Sequence, residues 1–452
     1  MKLRAQILIL VLGGFIVYGN ALFNGFVFDD DLIVNNPLFA SGGVVEFFSG
    51  GLFYQGDIET GRGNIYRPLT LSLFKLVYAI FGEAPRIFHL LSISLHILTT
   101  LAVFFLFRKF FPPFLAFLLA LVFLVHPTNS EVVAYISPLS DVLFVFFGVL
   151  AILVATRSFT PGVSSVASRY TPGVFLGGLL LLSLLSKETG VLFCFLVAAF
   201  YFLFKLKDRG LLMAPMLAFV LYLALRIFAA GIDAFGRGVT PIALASPVER
   251  IISMPKIIFY YLGVFAAPFN LAGGQHWVVK SLNFSDFYLP LSLVFLFFVI
   301  VLALFVAQKR KDRQLSRVSA FFLLWFLVGF ALHLQIIPLE YTVAQRWFYA
   351  IKIGLIGFLG TIVWAFAEHG FLKRFGNVLI VGFCLIFLVL SFLTFFRNAE
   401  FVDNLTLASS DLVGNPDSFE LELIYGTEQL KLKNYQEAKV HLGRSVDLNA
   451  YH

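Results

Sequence analysis

The chain has 452 residues, 60% of them hydrophobic and only 13% charged, with 57 phenylalanines. A water-soluble fold needs a largely polar surface and could not cover this much apolar material, so the composition points to an all-α integral membrane protein with many crossings. The net charge of +7 lies in short basic clusters between apolar runs, where it orients membrane helices, and nucleic-acid binding is excluded with it.

The apolar runs are continuous rather than alternating, which favours helices over a barrel. The first lies near residues 5–23 and reads as an uncleaved span, since it is long and lacks a small-residue cleavage site. Others follow near 87–107, 112–125, 139–156, 173–186, 189–206, 211–230, 251–268, 288–307, 318–337, 348–368 and 376–396. Lys2 and Arg4, Arg108 and Lys109, Lys205 with Lys207 and Arg209, "QKRKDRQLSR", and Lys373 with Arg374 should share the cytoplasmic side. They do so only if one segment fails to cross. Segment 251–268, with Pro255, Lys256 and Pro268, reads as that re-entrant or interfacial helix. The expectation is a bundle of about 11 transmembrane helices over residues 1–398, in the cell inner membrane or the endoplasmic reticulum. Its external or lumenal loops are 24–86, 126–138, the turn at "SKET", 231–287, 338–347, and the tail from 397. Cys194 and Cys384 lie inside apolar runs and imply neither a disulfide nor a metal framework.

Residues 399–418 read as a linker, and 419–452 as a helical hairpin fitting one tetratricopeptide unit, with Tyr425-Gly426 in its first helix and Tyr435, Ala438 and Leu442 in its second. One such unit cannot bury its own apolar face. It should pack on the membrane domain, bind a protein partner, or continue into further repeats.

The ionisable residues fall in the external loops. In "FVFDDDLIVNNP" three aspartates, Asp29, Asp30 and Asp31, stand in an apolar surround, where repulsion and desolvation should raise at least one pKa. Such a carboxylate can take a proton from a hydroxyl nucleophile. Arg67, in "YRPLT", has a fork suited to phosphate. His126, Glu131 and Asp141 follow in "HPTNSEVVAYISPLSDVLF", Lys187 and Glu188 in "LLSKETG", and Glu340, Arg346 and Tyr349 in "PLEYTVAQRWFY". His89 and His96 read as helix-packing groups. Acids and bases gathered on one face suit a transfer in which cations hold an anionic, membrane-borne donor and a carboxylate activates an acceptor hydroxyl.

In this order, "FVFDDDLIVNNP", "YRPLT", "FHLLSISLHIL", "HPTNSEVVAYISPLSDVLF", "LLSKETGVLF" and "AQRWFY", followed by the tetratricopeptide-like tail, resemble the GT-C fold transmembrane and tetratricopeptide repeat O-mannosyltransferases and their prokaryotic relatives. The resemblance implies a polyprenyl-phosphate sugar as donor, with mannose or another hexose as the expected sugar. It implies catalytic roles for Asp29 and Asp30, with Asp31 at a variable position. Arg67, Lys187 and Arg346 are assigned to the donor phosphate, and His126, Glu131, Asp141, Glu188 and Tyr349 to support. The acceptor is expected to be a protein Ser/Thr hydroxyl or a glycan, and the reaction a single inverting displacement. No cofactor is expected to be required, although adjacent carboxylates are an oxygen set that Mg²⁺ or Mn²⁺ accepts. The chain departs from the family pattern at Asn129-Ser130, at Pro138-Leu139-Ser140 before Asp141, and at Gln345 before Arg346. A transporter or lipid flippase using the same charged cavity is the alternative, and it would place charges near span midpoints.

Overall fold

The computed structural model describes residues 1–30, 36–41, 43–50, 65–157, 171–230, 240–368 and 371–448. Asp31 lies outside the described residues. The major helices are α1 (Leu3–Tyr18), α2 (Pro68–Phe81), α3 (Pro85–Phe110), α4 (Pro113–Val125), α5 (Leu139–Arg157), α6 (Thr171–Ser186), α7 (Val191–Leu203) and α8 (Gly210–Ala224). They continue with α9 (Pro247–Ala266), α10 (Leu289–Lys311), α11 (Arg313–Ala331), α12 (Phe348–Glu368), α13 (Phe371–Ala399), α14 (Asn404–Gly414), α15 (Phe419–Lys431) and α16 (Tyr435–Leu448). Among the described residues the one departure from helix and loop is an isolated antiparallel bridge between Gln275 and Val343.

Among the described residues eight helices are long and apolar enough to cross a bilayer, and a ninth crossing arises if α4 and the turn Pro127–Val133, bent by 57°, act together. The expected segments at 173–186 and 189–206 appear as shorter apolar helices. Helix α9 is not among the eight: it opens on a Ser246–Glu249 capping box and carries Glu249, Arg250 and Lys256, so its composition is that of an interfacial element. The count of eleven crossings therefore requires the bent pair and both short helices to span.

Burial separates the bundle into centre and rim. The apolar windows of α3, α5 and α12 are 61%, 78% and 61% buried, whereas those of α10 and α13 are 17% and 11% buried. Exposed Leu, Ile, Val and Phe on the rim helices suit a hydrocarbon solvent. Between α11 and α12 glycine permits close approach: a Cβ at Gly354 would lie 2.6 Å from the Phe326 backbone nitrogen and 2.9 Å from the Phe322 oxygen.

The segment expected as a linker, 399–418, instead holds α14, capped by Asp403 and docked through Asp411. Asp411 pairs with Arg397 at 2.5 Å and accepts the Gly273 N–H at 2.7 Å. Helices α15 and α16 form the expected hairpin, with Leu442 against Gly426 and the Tyr425 and His441 rings 4.4 Å apart. The hairpin packs on the loops rather than standing free, since Tyr341 donates to Glu420 at 3.1 Å and the His276 ring lies 4.6 Å from that of Phe419.

Candidate active site

Residues far apart in sequence converge at one end of the bundle. After α1, Phe28 adopts φ 49°, a left-handed conformation unusual for a bulky residue, and its N–H donates to Asn404 at 2.9 Å. This turn sends Asp29 and Asp30 in different directions. Asp30 is fully buried and accepts N–H bonds from Val27 (3.2 Å), Ile136 (3.4 Å) and Ser137 (2.7 Å). It pins the first loop to the 136–137 turn and is enclosed by protein, so it is not placed to touch an acceptor. Burial pushes its pKa well above the usual range, and the backbone bonds act against that rise.

Asp29 is only half-buried and accepts a hydrogen bond from the Tyr135 hydroxyl at 3.3 Å. Burial is the main cause that lifts its pKa from 3.8 to about 6, helped by the negative charges of Glu420 and Glu340 and opposed by Arg346. A carboxylate with that pKa is ionised at neutral pH and still a usable proton acceptor.

The three expected phosphate-binding cations are each already paired. Arg67 holds Glu188 at 3.0 Å and Ser140 at 3.3 Å. Arg346 meets Glu131 twice, through its guanidinium at 2.5 Å and its backbone N–H at 2.9 Å. Lys187 grips both oxygens of Asp141 at 2.6 and 2.7 Å. Glu131 and Asp141 thus serve as ion-pair partners. Lys187 has a side chain only 3% exposed, so its pair with Asp141 stiffens the floor of the cluster, whereas Glu188 is 40% exposed. Arg67, Lys187 and Arg346 lie within electrostatic reach of one another.

His126 and Tyr349 sit deeper. The His126 ring bonds Thr128 at 2.9 Å and the Phe265 carbonyl at 3.1 Å, and stacks on the Phe265 ring. Tyr349 meets His96 at 2.8 Å inside the bundle. Both shape the supporting layer. His89 meets the Gly25 carbonyl at 3.2 Å, a packing contact like that of His96.

Sequence reasoning missed Lys352, which is fully buried and donates to Thr128 at 2.5 Å and to Asn129. Its position one turn beyond Tyr349 was the available signal. Tyr341 was also missed; the Arg346 guanidinium lies 4.9 Å above its ring. Among the described residues no group of three or more His, Cys, Asp or Glu side chains gathers to hold a metal.

No model of a known protein family matches the chain. It is 37% identical over 201 residues to the human protein O-mannosyl-transferase TMTC1, a stretch covering 42% of this chain and 23% of that protein. It is 25% identical over 431 residues to the Caenorhabditis elegans protein O-mannosyl-transferase F38B6.6, covering 93% of this chain and 59% of that protein. Two solved structures are also similar. One is ArnT from Cupriavidus metallidurans bound to undecaprenyl phosphate, at TM-score 0.48 and 16% identity, covering 99% of this chain and 77% of that one. The other is the Archaeoglobus fulgidus oligosaccharyltransferase tethered to an acceptor peptide, at TM-score 0.47 and 12% identity, covering 96% and 58%. The chain spans less than two thirds of the length of these curated relatives, and over nearly all of its own length it resembles a protein O-mannosyl-transferase.

Proposed function

We propose that the protein is a membrane glycosyltransferase that moves a hexose, with mannose the first candidate, from a polyprenyl-phosphate carrier to a protein Ser/Thr hydroxyl on the external or lumenal face. The observation that carries this reading is the partly buried Asp29, its pKa lifted to about 6, within electrostatic reach of Arg346 in a converging set of paired cations. The names of the curated relatives support it.

Asp29 takes the proton of the acceptor hydroxyl as that oxygen attacks the anomeric carbon, and the bond to the carrier phosphate breaks with inversion. Arg67 and Arg346 receive the departing phosphate while keeping Glu188 and Glu131 as partners that fix their forks. Asp30 and the Lys187–Asp141 pair hold the loops in place. The test is purified protein in lipid nanodiscs with a radiolabelled polyprenyl-phosphate mannose and Ser/Thr-containing peptides. Transfer by the intact protein and its loss in Asp29→Asn is the expected result. Absence of both transfer and donor hydrolysis by the intact protein would refute the proposal.

A further inference from the structure

A cavity of about 840 Å³ lies between α9, the 275–280 loop and the α14–α15 turn; Asp29 does not line it, and the transfer reaction above makes no use of it. Its volume is in the range of roughly 300–1,000 Å³ typical of ligand sites. Tyr260, His276, Trp277 and Phe419 supply aromatic surface, and Asn415 with Gln275 supplies amides. His276 is buried; its Nε2 pairs with the Glu420 carboxylate at 3.5 Å, and its Nδ1 has no hydrogen-bond partner. Buried polar atoms normally find partners, so the unmatched Nδ1 in a cavity wall points to a ligand that completes it.

The cavity shares a wall with the candidate active site. Gln275 donates to the Val343 carbonyl at 2.9 Å, and Gln345 donates to the Ala272 carbonyl at 2.5 Å. Tyr341 lies between the two sites, its ring 4.7 Å from His276 and 4.9 Å from the Arg346 guanidinium. A ligand seated here would thus abut the loop that presents Arg346. Charges of both signs, Glu249 and Asp417 against Lys280, line the same space. Mixed charges over aromatic surface match a polypeptide, whose side chains vary in charge, better than a neutral sugar chain, which offers no partner for an ammonium group.

We propose that this cavity binds the acceptor as an extended, hydroxyl-bearing polypeptide segment, beside the site of transfer. The word acceptor rests on the proposed function, but binding itself does not. The experiment is fluorescence anisotropy of the full chain in nanodiscs with labelled Ser/Thr-containing peptides and no donor. Trp277→Ala should weaken binding about tenfold, as expected for an aromatic anchor. Lys280→Glu and Asp417→Lys change exposed positions, the second at the cost of an exposed pair with Arg444, and thermal unfolding checks that both variants fold. They should shift the preference among peptides toward basic and acidic sequences, respectively.

Peptides that fail to bind the intact protein, or that bind all three variants unchanged, would overturn the proposal. So would mannose oligosaccharides binding in their place. If peptides bind as expected but the protein neither hydrolyses nor transfers the polyprenyl-phosphate sugar, the transfer reaction fails and the binding site stands. If transfer occurs with an unaltered peptide KM in Trp277→Ala, the binding site fails and the reaction stands.

Discussion

Replacing Asp29 by Asn removes the proposed proton acceptor while keeping its size. A positioned general base contributes on the order of 10²- to 10⁴-fold, so kcat should fall by that factor with little change in donor KM. The raised pKa sharpens the test. With a pKa of about 6, roughly a tenth of the carboxyls are ionised at about pH 5 and nine tenths at about pH 7, so kcat/KM should rise about tenfold over that interval. A carboxyl at its ordinary value of 3.8 would give a flat profile there. Stability should move the opposite way. Folding lifts this carboxyl's pKa, so ionisation works against the fold: the penalty is absent below about pH 4 and complete above about pH 6. The rise from 3.8 to about 6 corresponds to at most about 3 kcal/mol, reduced by water at a partly buried site. Asp29→Asn should therefore melt higher than the parent at neutral pH and lose that advantage in acid. Radiolabel transfer and thermal unfolding in nanodiscs measure both. A flat pH profile together with a lower melting point for the Asn variant would refute the reasoning.

Asp141→Asn leaves the buried Lys187 ammonium without its counter-charge and should cost about 3–5 kcal/mol, read as a lower melting temperature. Lys352→Met replaces a buried amine bonded to neutral oxygens, with no carboxylate paired to it, by an apolar side chain of similar length, and should raise the melting temperature. A fall instead would show that Thr128 and Asn129 depend on the ammonium. Chelation by EDTA should leave transfer unchanged, because Arg67 and Arg346 supply the positive charge at the departing phosphate; loss of activity restored by Mg²⁺ or Mn²⁺ would place a metal at the acidic loop.

Much of the fold could be read from the sequence because hydrocarbon imposes a simple rule: long apolar runs become helices. That α9 falls outside the long apolar spans was legible from Pro255 and Lys256 interrupting an apolar stretch. Helix α14 was not legible, since its ordering depends on Asp411 meeting Arg397 and Gly273, contacts invisible to local periodicity. In the site, residue types were readable but partnerships were not. Arg67, Lys187 and Arg346 look free in a linear reading, and only the fold brings Glu188, Asp141 and Glu131 against them. The adjacent Asp29 and Asp30 look equivalent for the same reason. The left-handed turn at Phe28 separates them, one into a cage of N–H donors and the other toward Tyr135.

The two ends of the membrane domain are stitched together. Asn20 donates to the Phe395 carbonyl, Asn24 to the Asn398 carbonyl, the Gly25 N–H to the Val402 carbonyl and the Phe28 N–H to Asn404. The seam joins residues more than 370 positions apart, so it closes late during assembly. A ribosome that has already made Asp29, Arg67, Lys187 and Arg346 has still not made Asn404, the residue that holds the turn at Phe28. Partly synthesised chains would therefore lie in the bilayer with their acids and bases unassembled, inert toward any sugar carrier nearby until the last span is in place.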